Sequence, residues 1–219
     1  SSLRKRIKLM EGDKIMDPKG ILPNQVLGVL NEHYNDYILA NDVGLHRHVS
    51  AIFYRANKPL DFVTSGGLSS FGSGLPLAIG AQIANPKRKV VAITGDGGFH
   101  SNSGEIETAV RLGLKIVILV FNNGQSGLIQ RYLVMGKKKI NKKITVFHPV
   151  DFAKLAEANH CQGIKIGNIK DLKPALKKAD GYNGPTLIEI PIYYPNLYVN
   201  EYTKNYHINK KWMFSMNIL

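Results

Sequence analysis

Two short polar segments follow apolar runs of the chain, and their residue types suit a cation and a phosphate. Gly95-Asp96-Gly97-Gly98 comes directly after the run 90–94, and Asn122-Asn123 follows the run 116–121. Glycines let the backbone approach an anion closely, and the N-terminus of a following helix supplies amide donors. Asp96 adds a carboxylate, which is compatible with a phosphate only if a cation lies between them. Mg²⁺ commonly combines a carboxylate with phosphate oxygens, so these segments predict a magnesium and phosphate site.

The elements around these segments predict how they come together. β-branched runs at 37–40, 61–64, 90–94, 116–121, 163–166 and 186–190 alternate with helix-period segments near 23–34, 47–56, 73–85, 103–112, 150–159 and 171–179. This alternation is typical of crossover units on a parallel sheet. We therefore expect an α/β fold with a doubly wound, mostly parallel six-stranded sheet and helices on both faces. Ligands of such sheets bind beyond the carboxyl ends of the strands, where the two polar segments would meet.

Different phosphate-binding motifs fit the glycines less well. A dinucleotide fingerprint that starts at Gly95 would need a third glycine at position 100, which is His100. The sequence contains no Gly-Lys-Ser/Thr of a P-loop. A purely structural acidic turn would leave the doubled asparagine without a role.

Composition narrows the class of protein. The 219 residues carry a formal net charge of +13, but the basic residues are scattered and no series of aromatic residues lies between them, so nucleic-acid binding is not favoured. No apolar run approaches the roughly 20 residues of a membrane span. The single cysteine, Cys161, fits a reducing cytoplasm.

We expect a linker or processed end over 1–20, a diphosphate- and Mg-binding domain over 21–195, and a C-terminal tail over 196–219. A Lys-rich stretch near 133–149, with its basic centre at 137–143, is expected to be a mobile loop and a candidate lid.

Together, the Gly-Asp-Gly segment, the spacer and Asn-Asn resemble the signature of thiamine diphosphate enzymes. The resemblance extends from about residue 42 to residue 194. The segments 42–44, 64–68, 74–81 and 184–191 are similar to the acetolactate synthase branch of these enzymes, and 95–103 and 151–159 are closer to carboxyethylarginine synthase.

The resemblance implies roles for individual residues. Magnesium would be held by Asp96, Asn123 and the backbone carbonyl of Gln125. Further cofactor contacts would come from loop residues after the strands: Gly44, His46, Ser69, Phe71, Gly95, Gly97, Gly98, Gly127 and Leu128. In this set, the backbone at Ser69 and Phe71 would hold the aminopyrimidine, and Phe71 would replace the Met, Leu or Ile wedge that bends the cofactor.

Three further positions bear on substrate and acid-base chemistry. Tyr132 aligns with an aromatic residue of the acceptor pocket, which is often Trp in acetolactate synthases. Leu45 replaces a Gln that is common in that branch. His100 is either a proton donor or substrate-carboxylate contact, or a cap of the next helix. These departures leave the substrate pair open.

The resemblance also implies a reaction and the further domains that this reaction requires. Such enzymes decarboxylate a 2-oxo acid and transfer the remainder to an acceptor, as transferases or lyases. The activating glutamate would come from a pyrimidine-binding domain of the same protein or of a partner subunit, in a homodimer or tetramer. FAD is a possible cofactor of a missing middle domain. The chain is therefore expected to be an incomplete enzyme: the C-terminal third of an acetolactate synthase-like carboligase, of a carboxyethylarginine synthase-like or other decarboxylase, or the diphosphate-binding subunit of a two-subunit decarboxylase.

Overall fold

A computed structural model describes residues 20–136 and 138–194. Its centre is a six-stranded sheet in which every pairing is parallel, with strand order β2-β1-β3-β4-β6-β5. The strands are β1 (Tyr37–Asn41), β2 (Phe62–Thr64), β3 (Lys89–Gly95), β4 (Val117–Asn122), β5 (Gln162–Lys165) and β6 (Thr186–Pro191). The chain reverses its direction of travel across the sheet between β1 and β3, which leaves a crevice at their carboxyl ends. The predicted α/β fold is confirmed.

Helices cover both faces of the sheet. They are α1 (Pro23–His33), α2 (Leu45–Phe53), α3 (Gly74–Ala84), α4 (Asp96–Ser101), α5 (Glu105–Arg111), α6 (Gly127–Met135), α7 (Lys142–Thr145), α8 (Phe152–Ala158) and α9 (Leu172–Gly181), with a 3₁₀ turn at Ile169–Asp171. One apolar cluster joins α1 and α9 to one face of the sheet, and a second joins α3, α5 and α8 to the other. Because both faces are covered, the central strands are apolar throughout rather than alternating.

Local sequence differs from structure in several helices. The helix predicted at 47–56 begins two residues earlier, at Leu45, and ends at Phe53. The helices α4, α6 and α7 were not predicted. Two glycines in the first turn of α4 weaken its helical signal. Among the described side chains of α6, at 127–134, none is buried, and Ile129 and Val134 are at least half exposed.

The predicted boundaries at both ends lie outside the described residues. Of the expected linker over 1–20, only Gly20 is described, and the expected tail over 196–219 is not described at all. Within 20–136 and 138–194, no helix combines the length and apolar character required to cross a membrane.

Candidate functional site

Asp96 is the centre of the polar crevice at the carboxyl edge of the sheet. It is the first residue of α4, directly after β3, and is 5% exposed. Its Oδ1 accepts a hydrogen bond from the amide of Gly97 at 2.8 Å. Its Oδ2 accepts from the amides of Asn123 and Gln125, each at 3.2 Å. The loops after β3 and β4 therefore meet at one carboxylate, as their spacing in the sequence predicts.

The environment of this carboxylate suits a divalent cation. Burial raises the pKa of Asp96, and the surrounding backbone amides oppose that rise. The hydrogen bonds from Gly97, Asn123 and Gln125 engage three of its about four lone-pair positions. A metal ion would favour the ionised form of the buried group. The chemistry of the donors, one carboxylate with nearby amide oxygens, fits Mg²⁺.

Gly97 and Gly98 form a cradle in which side chains would not fit. A Cβ atom at Gly97 would lie 2.8 Å from Cε2 of Phe147 and 3.2 Å from Cζ of Phe71. A Cβ atom at Gly98 would lie 2.2 Å from Oδ2 of Asp42. At both glycines the space for a side chain is taken by neighbouring residues, so close packing accounts for the absence of a side chain there.

Asp42 is a buried residue of this crevice to which the family resemblance assigns no role. It is fully buried after β1, where its Oδ1 accepts from the amides of Val43 at 2.7 Å and Ser73 at 3.0 Å. Its Oδ2 accepts from the hydroxyl of Thr94 at 2.9 Å. Burial raises the pKa of Asp42 against these hydrogen bonds. Asp42 thus fixes the loop after β1 to β3, and the sequence signal was an acidic residue directly after a strand.

His46 faces the same loops. It is 4% exposed in the first turn of α2, and its Nε2 has no hydrogen-bond partner among the residues that the structure describes. A Cβ atom on Gly95 would lie 3.3 Å from Cε1 of His46, and one on Gly44 would lie 2.5 Å from it. Burial, with His48 nearby, lowers the pKa of His46 to about 3, so its imidazole is neutral at pH 7. Such a buried nitrogen suits a polar ligand.

The loop after β4 completes the crevice. A Cβ atom on Gly127 would lie 3.0 Å from Cδ1 of Leu45 and 3.2 Å from Nδ2 of Asn123, so this loop packs against the start of α2. The carbonyl of Gln125 accepts from the amide of Gly127 at 2.8 Å, and Leu128 follows in α6. An adjoining cleft of about 250 Å³ is lined by Leu45, Asn123, Gln125, Gly127, Gln130, Arg131, Val134, Ile140, Ile192, Tyr193 and Tyr194.

The loop after β2 supplies the other wall. Ser69 has a positive φ of 53°, and its hydroxyl accepts from the guanidinium of Arg47 at 3.3 Å. Phe71 is 56% exposed, with its ring directed toward Gly97. The backbone between them is therefore held in a defined turn beside the glycine cradle.

The stretch 133–149, expected as one long loop, is partly ordered. It contains the end of α6 and the short helix α7, and Thr145 is buried. The carbonyl of Thr145 accepts from the amide of Ser126 at 2.8 Å, and the amide of Phe147 donates to the carbonyl of Gly124 at 2.9 Å. The prediction of a loop was wrong for the end of α6 and for α7, and a long-range backbone pairing ties the end of the stretch to the loop after β4. The mobility of the stretch and its role as a lid stay predictions. Lys137, within the basic part 137–143, lies outside the described residues.

Two residues with predicted catalytic or substrate roles lie farther out. His100 is exposed within α4, and the next helix has Gly104 as its N-cap, so the interpretation of His100 as a cap of that helix was wrong. Tyr132 lies on α6 with 43% of its surface exposed. Their proposed contacts with substrate stay predictions.

Comparison with known proteins agrees with this arrangement. Residues 42–190 match the family model described as thiamine pyrophosphate enzyme, C-terminal TPP binding domain. The chain is 32% identical over 182 residues to a probable acetolactate synthase large subunit of Methanocaldococcus jannaschii, covering 82% of this chain and 31% of that protein. It is 34% identical over 176 residues to the mitochondrial acetolactate synthase catalytic subunit of Saccharomyces cerevisiae, covering 78% of this chain and 26% of that protein.

A solved structure supports the fold. The thiamine diphosphate-dependent 4-hydroxybenzoylformate decarboxylase of Rhodococcus jostii RHA1 superposes with a TM-score of 0.78 at 24% identity, covering 84% of this chain and 35% of that one. The chain thus spans between about a quarter and about a third of the length of these relatives. Because the family model matches well over half of its residues, the chain belongs to the family of C-terminal thiamine pyrophosphate-binding domains of thiamine pyrophosphate enzymes.

Proposed function

We propose that this domain binds thiamine diphosphate through Mg²⁺ within an acetolactate synthase-like enzyme that decarboxylates a 2-oxo acid and joins the remainder to an acceptor. The observation that supports the proposal is the convergence on Asp96, a buried carboxylate contacted by the amides of Asn123 and Gln125. A pyrophosphate and a carboxylate share this point only with a cation between them.

In this proposal the metal ligands are the side chains of Asp96 and Asn123 and the carbonyl of Gln125. The diphosphate would lie against the amides at Gly97 and Gly98, with further contacts from Gly44, His46, Gly95, Gly127 and Leu128. The Nε2 atom of His46 has no partner among the described residues and would donate to a diphosphate oxygen when it carries a proton. These groups bind and orient; the cofactor itself supplies the nucleophilic carbon that attacks the 2-oxo acid.

The wall formed by Ser69 and Phe71 would hold the aminopyrimidine end of the cofactor. The rings of Phe71 and Phe147 both lie close to Gly97, so two aromatic side chains border the space beside the glycine cradle. Such a border excludes water from the reacting part of the cofactor and limits the size of the donor. Tyr132 and His100 are proposed as outer substrate contacts.

The complete enzyme would need a second domain. We propose that a pyrimidine-binding domain, in the same protein or in a partner subunit, supplies the activating glutamate, in a homodimer or tetramer. Binding of FAD by a further domain and a cytoplasmic location are also parts of this proposal. Without the second domain, this chain would bind the cofactor weakly and would not turn over.

Calorimetric titration of thiamine diphosphate into the purified protein tests the binding function. We expect heat of binding in excess Mg²⁺ and none with EDTA, because the anion needs the cation to approach Asp96. The variant Asp96→Asn should lose binding. The matched control Glu107→Gln removes one exposed carboxylate that pairs with Arg111 on α5 and should bind normally. Binding that EDTA does not change would contradict the proposal.

Product analysis tests the reaction. Full-length protein given pyruvate should form acetolactate. Formation of product only from glyceraldehyde 3-phosphate and arginine would favour the carboxyethylarginine synthase-like alternative. Salt-dependent binding of DNA or RNA without any binding of thiamine diphosphate would contradict both.

A further inference from the structure

Glu189 is a buried carboxylate toward the carboxyl end of a strand beside the edge of the sheet, outside the proposed cofactor contacts. It lies in β6, whose residues are otherwise apolar or neutral, and is 2% exposed. Both of its oxygens are engaged. Oε1 accepts from the side-chain amide of Asn122 at 2.9 Å and pairs with Nζ of Lys165 at 3.1 Å. Oε2 accepts from the backbone amides of Phe152 at 3.0 Å and Ala153 at 3.4 Å.

The contact with Asn122 fixes the orientation of that side chain. An ionised carboxylate only accepts hydrogen bonds, so the NH₂ group of Asn122 must point to Glu189 and its oxygen must point away. That oxygen, Oδ1, accepts from the amide of Gly124 at 3.1 Å. Gly124 has a φ of +68°, a left-handed conformation that glycine adopts readily. Glu189 thereby selects the amide rotamer of Asn122 that holds the turn at Gly124.

The turn at Gly124 aims the neighbouring residues at Asp96. The amides on either side of it, those of Asn123 and Gln125, both reach Oδ2 of Asp96 at 3.2 Å. The chain of contacts therefore runs from Glu189 through Asn122 and Gly124 to the loop that carries the proposed metal ligands. We infer that Glu189 is a positioning residue for the metal loop, acting through Asn122; this inference rests on the proposed binding of Mg²⁺ and thiamine diphosphate.

A purely structural role is the alternative, because Oε2 also caps the N-terminus of α8. The two roles use different oxygens and predict different results. If Glu189 only stabilises α8, its loss should lower the free energy of unfolding and leave the affinity of the folded protein for Mg²⁺ unchanged. If it positions the loop, the affinity for Mg²⁺ should fall as well, since groups that orient metal ligands affect metal affinity about 10- to 100-fold.

The test is the variant Glu189→Gln, measured by Mg²⁺ titration of the purified protein at saturating thiamine diphosphate. A glutamine has one acceptor oxygen and one donor group, so it cannot accept from Asn122 and from the amides of α8 together. We expect the dissociation constant for Mg²⁺ to rise about 10-fold or more. The melting temperature of the apo protein is recorded in parallel.

Two control variants separate the roles. Asp151→Ala removes the side chain that caps the same helix α8, where it accepts from the amide of Lys154 at 3.0 Å, and leaves Asn122 untouched. It should lower the melting temperature without changing Mg²⁺ affinity. Lys165→Ala removes the half-exposed ion-pair partner of Glu189 and should change Mg²⁺ affinity little.

The relay through Asn122 is tested with a double variant. Asn122→Ala should weaken Mg²⁺ binding as Glu189→Gln does, and the combined variant should be no weaker than Asn122→Ala alone, because both act on one contact chain. Wild-type affinity for Mg²⁺ in folded Glu189→Gln, or additive losses in the double variant, would overturn the inference. Failure of the wild-type protein to bind Mg²⁺ and thiamine diphosphate would instead overturn the proposed function.

Discussion

Buried carboxylates at the amino edge and at the carboxyl edge of the sheet have different hydrogen-bond partners. At the amino edge, the carboxylates of Asp36, Asp61 and Asp180 are paired with cations. Arg88 bridges Asp36 and Asp61, and Asp180 pairs with Lys89 and His33, each of the latter contacts being under 3 Å. The pKa of Asp61 is lowered because the hydrogen bonds from Arg88 and from backbone amides outweigh burial.

At the carboxyl edge, two buried carboxylates have neutral hydrogen-bond partners. Asp42 and Asp96 accept from backbone amides and a hydroxyl, and burial raises the pKa of each. His46 and His48 are deprotonated by their surroundings, with pKa values lowered to about 3 and about 4, mainly by burial. The amino edge is arranged for stability of the folded chain. At the carboxyl edge, burial of ionisable groups without a counter-charge lowers the stability of the folded chain, and a bound ligand could balance their charge. This is the pattern of a functional site.

The largest effect that would test this contrast comes from crowding Asp42. We expect Gly98→Ala to lower the free energy of unfolding by about 3 kcal/mol, because its methyl group would lie 2.2 Å from a carboxylate that three hydrogen bonds hold in place. Urea denaturation measures the change. The adjacent Gly97→Ala is the control: its methyl group would meet the tips of two partly exposed phenyl rings, which can move, so a loss under about 1 kcal/mol is expected. Equal losses would mean that Asp42 is not rigidly held.

Replacing one aspartate by asparagine at each edge should show which edge contributes to folding stability and which binds Mg²⁺. Asp61→Asn should lower the free energy of unfolding by about 2–3 kcal/mol, since it breaks a buried charge-assisted contact with Arg88, and should leave Mg²⁺ affinity unchanged. Asp96→Asn should weaken Mg²⁺ binding at least about 100-fold and should lower apo stability less than Asp61→Asn does, because removal of the buried charge offsets the hydrogen bond that the amide nitrogen cannot accept. Denaturation and calorimetry on both variants make the comparison. A large loss of apo stability in Asp96→Asn would remove the distinction between the edges.

The two edges should affect the stability of the apo protein in different pH ranges. A histidine with a lowered pKa binds fewer protons in the folded state than in the unfolded state, so stability falls as the pH drops below about 6.5. For His46 the loss is about 1.4 kcal/mol per pH unit until its folded pKa of about 3 is reached. The raised pKa values of Asp42 and Asp96 oppose this loss. The amino-edge carboxylates, with lowered pKa values, lose their contribution only below about pH 4.

Urea denaturation between about pH 4.5 and 6.5, a window set by these pKa shifts, checks the assignment. The variant His46→Gln should flatten the slope by about 1.4 kcal/mol per pH unit. Asp61→Asn should leave the slope in this window unchanged. If the change of unfolding free energy with pH in this window depended on Asp61 and not on His46, the assignment of this pH range to the carboxyl edge would be contradicted.

Much of the fold was predictable because strands that have helices on both faces of the sheet consist of continuous apolar runs in the sequence. All six strands lie where these runs occur, and Asp96 and Asn123 follow two of them, so their convergence followed from the parallel topology. The metal, the residue roles and the partner domain stay predictions. The family resemblance itself is confirmed by the match over 42–190.

What the sequence did not reveal depends on contacts between distant segments. Over 127–134, helix α6 has exposed apolar residues and no buried stripe, so no periodic signal identified it. The pairing of Gln125 with Val146 joins positions with no local pattern in common. The role of Glu189 had a visible signal, a single acidic residue inside an apolar strand, but its partner Asn122 lies on another strand. Polar networks of this kind are invisible until the register of the sheet is known.

The backbone pairing between 124–126 and 145–147 has a consequence for how this region can evolve and be cut. Both ends of the excursion formed by α6, the lysine-rich stretch and α7 are fastened at the same place. Its interior can therefore lengthen, shorten or be nicked at the exposed Lys138 and Lys139 while the strand-end loop keeps its shape. Surface charge can change there independently of the loop that carries Asn123 and Gln125.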